Sequence, residues 1–159
     1  AILSFDPNIR EPLWKDMEDA RAQMAYGLSV CDILKISDNE IQWFSGKEDY
    51  TEGIHMLQQT YQIPFILLSM GRDGSRAYYK DMLVEVPAFL QKNTIETTGA
   101  GDTFGACCLH HILKYGLDNL TKQQLKEMLT FANAAASIIT TRKGALRVMP
   151  SLEEIQRLL

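Results

Sequence analysis

Apolar residues fall along this chain in two alternating rhythms. Short continuous runs, which suit buried strands, are followed by stretches in which apolar residues return every third or fourth position, which suit helices packed on one face. The run at 2–6 ends in Asp6 and Pro7 and predicts a buried strand stopped by proline. Residues 15–28 carry Met17, Ala20, Met24 and Leu28 at helical spacing. A second buried strand is predicted over 31–37, with Ser37 or Asp38 capping a helix through 41–44. Residues 50–61 make another amphipathic helix, with Ile54, Leu57 and Tyr61 on one side, and 64–70 is the plainest central strand. A turn at 71–75 leads to short strands at 76–79 and 83–86, antiparallel about Lys80 and Asp81 at a sheet edge.

The second half turns on residues 95–104, which read as a strand end, a small-residue turn and a helix start. That helix begins near Asp102, buries Phe104, Ala106 and Leu109, and ends at Gly116. Thr121 with Gln124 makes a capping box for a helical region that reaches Ile139 as one helix or two. Ser151 with Glu154 repeats the device for a last helix. Strands that alternate with helices predict an α/β fold, a mostly parallel sheet between two helical layers.

Composition narrows the function. At 159 residues, 46% hydrophobic and 23% charged, the chain has the make-up of a globular domain with a real core. A net charge of −4 without any basic run gives no footing for nucleic acid or an anionic membrane, and no apolar run is long enough to span a bilayer. Cys31, Cys107 and Cys108 show no paired or zinc-type spacing, so buried thiols in a reducing cytoplasm are expected. His55, His110 and His111 lack metal-ligand spacing as well.

The chemistry concentrates in the glycine turn. Gly99 and Gly101 allow backbone angles closed to other residues and leave no side chain over the turn. The first amides of the following helix lack intrahelical partners and sit at the positive end of its dipole, a place that holds anions. Asp102, at or near the N-cap, would stand beside that anion and accept a proton, although capping alone also explains an aspartate there. The strand-turn-helix context favours the functional reading, since open parallel sheets bind ligands at the carboxyl ends of their strands. Elsewhere, the loop 6–14 brings Asp6, Asn8 and Arg10 close together, and Arg10 can grip a phosphate with paired bonds. Lys35, at a strand end, could point toward phosphates, and Glu40 falls in a helix's first turn.

Thr98-Gly99-Ala100-Gly101-Asp102 resembles the signature of the ribokinase-like sugar kinases, the phosphofructokinase-B family, and the resemblance runs over essentially the whole chain. It implies an ATP-dependent carbohydrate kinase with Asp102 as general base and the amides of Gly99, Ala100 and Gly101 stabilising charge on the transferred group. It implies nucleotide contacts from Lys35, Ser69, Gly71, Gly74 and Asn133, the last beside adenine. The 6–14 loop is similar to that of fructokinases and 2-keto-3-deoxygluconate kinases, which puts Asn8 and Arg10 on the substrate side. Glu40 would sit near Mg2+ through water, although Ser37 stands where the family carries asparagine. A monovalent cation such as K+ would lie among the carbonyls of 141–145, Glu96 and Thr98, with Glu96 in place of the usual aspartate. No Walker-type phosphate loop occurs.

The expected reaction is transfer of the γ-phosphoryl group of ATP to fructose. The alternatives are 2-keto-3-deoxygluconate, or a nucleotide-binding domain without turnover. Family members carry a comparable length of chain before this point, with sugar contacts and a lid through which a homodimer would form. The residues here are therefore expected to be the C-terminal, nucleotide-side portion of a kinase. On that expectation the chain alone exposes a sheet edge, binds ATP weakly and turns over little.

Overall fold

A computed structural model describes residues 1–159 and places them in five strands and six α-helices. The strands are β1 (Ser4–Phe5), β2 (Ile33–Ser37), β3 (Phe65–Ser69), β4 (Ser75–Tyr79) and β5 (Met82–Val86), hydrogen-bonded in the order β1-β2-β3-β4-β5. The first three run parallel, in a register that pairs Phe5 with Leu34 and Ser37 with Ser69. Only Lys80 and Asp81 join β4 to β5, and so short a link between neighbouring strands makes that pair antiparallel. The chain forms two compact units, residues 1–69 with 77–82, and residues 70–76 with 83–159.

In the first unit, α1 (Met17–Val30) connects β1 to β2, while α2 (Asp38–Ser45) and α3 (Tyr50–Tyr61) connect β2 to β3. The apolar spacing of α1 buries Ala20, Met24 and Leu28, and α3 buries Ile54 and Leu57. Strands β2 and β3 are buried on both faces, as their unbroken apolar runs require. Phe65 meets Tyr79 edge to face at 5.3 Å between ring centroids, within this core. The run at 2–6 is less than expected: β1 is two residues long, and Ile2 and Leu3 keep 48% and 50% of their surface. The cause is position, because β1 lies at the sheet edge with β2 as its single neighbour.

In the second unit, α4 (Ala100–Tyr115) and α5 (Lys122–Ile139) form the main helical pair, followed by α6 (Leu152–Leu158). Alpha5 is one unbroken helix opened by the Thr121–Gln124 capping box, and its Ala132, Ala134 and Ala135 are fully buried. Alpha4 buries Thr103, Phe104, Cys108 and Ile112, whereas Ala106, expected in the core, is exposed. The expected strand before the glycine turn is absent. Residues 95–98 are irregular, and the amides of Ile95 and Glu96 both go to the carbonyl of Thr140, at 2.8 and 3.3 Å. That carbonyl at the end of α5 takes the place of a ladder partner. Arg142 bonds the carbonyl of Val148 at 3.1 Å and pairs with Glu154, whose carboxyl it holds below the usual range. All three cysteines are free, and burial pushes the Cys31 and Cys107 thiols up to about 11.

Gly74, between β3 and β4, has φ +101°, and a Cβ there would lie 2.1 Å from the carbonyl oxygen of Val86 and 2.8 Å from Pro87 Cα. Backbone atoms cannot swing aside as a side-chain tip can. Gly74→Ala is therefore expected to destabilise the fold by about 3 kcal/mol, read as a lowered urea midpoint with unchanged slope.

Candidate active site

The N-termini of five helices carry a side-chain cap: Asp16 on α1, Ser37 on α2, Asp49 on α3, Thr121 on α5 and Ser151 on α6. Alpha4 has none. Its N-cap is Gly99, in the left-handed region at φ +77°, not Asp102. Asp102 stands in the first turn three residues in, exposed, with a carboxylate that bonds to nothing in the chain. It does not cap the helix, so capping cannot explain it. The amide of Ala100 is spent on the carbonyl of Thr97 at 3.1 Å, and that of Thr103 on Gly99 at 2.9 Å. Those of Gly99, Gly101 and Asp102 have no partner. Ala100 was expected among the donors, but the tight turn consumes its N–H. The open donors lie at the turn's glycines and at the aspartate itself, at the positive end of the helix.

Directly behind them lies a residue that the sequence reading passed over. The Thr103 hydroxyl is buried and has no hydrogen-bond partner, a costly arrangement. Only its place next to Asp102 could have drawn attention to it, since a threonine in a helix ordinarily bonds its own backbone.

Around the turn, Glu96 accepts from the amide of Gly144 at 2.7 Å, which ties the approach to the 141–145 segment. One Glu96 oxygen is thus engaged, and Thr98 is exposed without a partner. The 70–74 turn closes on itself, with Met70 N to Gly74 O at 2.9 Å. Gly71 is exposed there at φ +53°, with open space where a side chain would be. Asn133 is buried in α5. Its Oδ1 accepts from Ser75 Oγ at 2.9 Å, and its Nδ2 donates to the carbonyls of Val86 and Pro87, each at 3.1 Å.

In the first unit the polar side chains gather at the carboxyl ends of β1 and β2. The register sets Asp6 beside Lys35, and Lys35 Nζ lies 3.1 Å from Asp6 Oδ2. Lys35 is buried rather than exposed, at 8%. Loop 6–14 was expected to bring Asp6, Asn8 and Arg10 together. In the structure Arg10 reaches only Asn8 Oδ1, at 3.4 Å, and Asn8 holds φ +47°, which asparagine tolerates. Glu40 accepts from Ile9 N at 3.1 Å, Ser37 N at 2.9 Å and Ser37 Oγ at 2.7 Å. Ser69 Oγ points to the carbonyl of Ile36 at 3.5 Å. Burial raises the Asp6 pKa above its ordinary 3.8, outweighing the lowering by Lys35.

No three His, Cys, Asp or Glu side chains gather closely enough to cage a metal. Glu40 keeps an unused carboxylate lone pair, which fits contact with a metal ion through water.

The model of the pfkB family of carbohydrate kinases matches residues 1–152. Probable fructokinase-2 of Arabidopsis thaliana is 36% identical over 151 residues, covering 95% of this chain and 46% of that protein. A Klebsiella pneumoniae fructokinase is 35% identical over 156 residues, covering 98% and 50%. Among solved structures, the Vibrio cholerae O395 fructokinase in its fructose-, ADP- and calcium-bound form superposes with a TM-score of 0.88 at 28% identity, over 98% of this chain and 50% of its own. Fructokinase from Xylella fastidiosa with bound ATP gives 0.85 at 27%, over 99% and 51%. The chain spans about half the length of these relatives.

Because folding raises the Asp6 pKa, the contribution of that group to stability is greatest below 3.8 and is lost as pH rises through the folded value. Lys35→Met removes the opposing cation. The Asp6 pKa should then climb further, seen by carbon NMR titration of its carboxyl; an unchanged value would show that Lys35 does not act on it.

Proposed function

This chain belongs to the pfkB family of carbohydrate kinases, and on that premise we propose that it forms the nucleotide-side, C-terminal portion of an ATP-dependent fructokinase. The observation that carries the reading is the partnerless carboxylate of Asp102 beside the open amides of Gly101 and its own backbone. A carboxylate placed next to an anion site repels the anion unless it removes a proton from the group that attacks it. Asp102 is assigned that role, as general base toward a sugar hydroxyl. The amides of Gly99, Gly101 and Asp102 would meet the negative charge that grows on the transferred oxygens. Gly99 has a second duty: its backbone angle keeps the turn bare.

Gly71, Gly74 and Ser69 are assigned to the nucleotide's surroundings, with Asn133 behind the turn. Lys35 is held by Asp6 and is assigned to the phosphates. Asn8 and Arg10 are assigned to the substrate side, on the strength of the loop's likeness to fructokinases. Mg2+, when bound with the nucleotide, supplies positive charge across the phosphates; Glu40 would orient its water. Glu96 and Thr98 are the residues for a K+ ion. Three free cysteines suit a cytoplasmic setting. The homodimer, like the sugar pocket, is assigned to the other half of the kinase. Turnover by these residues alone is therefore expected to be small.

Two measurements test this. Calorimetric titration of the chain with Mg-ADP should show weak binding that Asp102→Asn preserves. In a full-length kinase whose matching half is replaced by these residues, fructose should be phosphorylated, and Asp102→Asn should cut the rate by about 10²–10⁴-fold. An unchanged rate sinks the assignment of Asp102. Preference for 2-keto-3-deoxygluconate replaces the sugar, and nucleotide binding without any turnover replaces the enzyme by a binding domain.

A further inference from the structure

The Asn133 side chain makes three hydrogen bonds to two separate stretches of the chain and uses both of its donors. It takes the Ser75 hydroxyl at the exit of the 70–74 turn and gives both amide hydrogens to the end of β5, at Val86 and Pro87. Ser75 is wholly buried and Asn133 is 7% exposed. Immediately before Ser75, Gly74 presses its bare Cα side against the same Val86 carbonyl and Pro87. The turn is thus gripped twice: by the glycine contact, and by a hydrogen-bonded amide rooted in α5. An asparagine so engaged has no donor left to offer a base.

We propose that Asn133 is a positioning residue that holds the 71–75 turn in shape for nucleotide phosphate through Ser75, rather than a direct reader of the adenine ring. The claim rests on the nucleotide reading of that turn given above. Buried and hydrogen-bonded, the Ser75–Asn133 link confines a turn that otherwise has only the Gly74 contact and its own hydrogen bonds: Met70 N to Gly74 O, Asp73 N to Met70 O at 3.0 Å, and a long Gly74 N to Gly71 O contact at 3.4 Å. Gly71, Arg72 and Asp73 are all exposed. Without the link they gain freedom that a bound phosphate must then remove, and affinity falls by that cost.

The experiment uses the full chain and three variants. Ser75→Ala breaks the link from the turn side and leaves Asn133 bonded to β5. Asn133→Asp keeps the acceptor for Ser75 but withdraws both donors to β5. Amide hydrogen exchange over 71–75 is recorded without nucleotide, and Mg-ADP and Mg-GDP are titrated well below each variant's melting temperature. Ser75→Ala should speed exchange in the turn and raise the Kd of both nucleotides by roughly three- to tenfold, the worth of about one buried hydrogen bond. Asn133→Asp should do at least as much, again without regard to the base. Ser75→Thr, which keeps the hydroxyl, should restore the affinity.

Unchanged exchange over 71–75 in Ser75→Ala overturns the proposal. So does a loss confined to ADP and to the Asn133 variant, which is the signature of direct contact with adenine. A lowered melting temperature with unchanged Kd overturns it too, since that is a structural role alone. If exchange changes as expected but the unaltered chain binds neither nucleotide, the nucleotide reading of the turn fails and the clamp stands, so the two failures are distinguishable.

Discussion

The uncapped start of α4 is the constraint that organises this molecule. Each of the other five helices satisfies its first amides with a serine, threonine or aspartate side chain. Capping stabilises a helix by about 1 kcal/mol, and the chain forgoes it at the helix whose first turn carries Asp102. The cost is larger than one cap, because the Thr103 hydroxyl is also buried without a partner in that turn. The unmet buried hydroxyl is a local stability deficit, set among open backbone donors.

The first unit solves the opposite problem, an excess of charge. Asp6, Lys35 and Glu40 meet at adjacent strand ends, and each is held by the protein itself. Lys35 is neutralised by Asp6. Glu40 is absorbed by the Ser37 capping box and by the Ile9 amide. Serine at 37 gives both a cap and a donor to Glu40 Oε2. Each charge of the cluster is therefore compensated within the fold. The cluster also ties the 6–14 loop to α2 through the Ile9–Glu40 bond.

Much of this architecture is legible in the residues. The 50–61 helix, the 121–124 and 151–154 capping boxes and the stop at Gly116 rest on local chemistry: spacing, caps and the left-handed freedom of glycine. The errors come where tertiary context decides. An apolar run such as 2–6 does not reveal how many neighbours its strand will have, so burial at an edge is overestimated. The Ile95 stretch has the composition of a strand, yet its amides find the Thr140 carbonyl 45 positions away. Asp102 sits where an N-cap is expected, but the left-handed angle of Gly99 starts the helix three residues early. Lys35 and Asp6 are 29 residues apart, and their pairing follows only from strand register.

The same left-handed glycine explains how the donors stay open. A Cβ on Gly99 would meet Ala145 Cβ and Ile139 Cδ1 at 3.3 Å, so even with relaxed backbone angles a side chain there is crowded. A capping side chain is excluded by the very segment that closes the site, the end of α5 and the turn after it. That segment is in turn fastened by Glu96 to Gly144 and by the Thr140 carbonyl to Ile95 and Glu96. The approach to the turn and the wall behind it are therefore one bonded assembly. The open amides are thus a consequence of the tight packing around them.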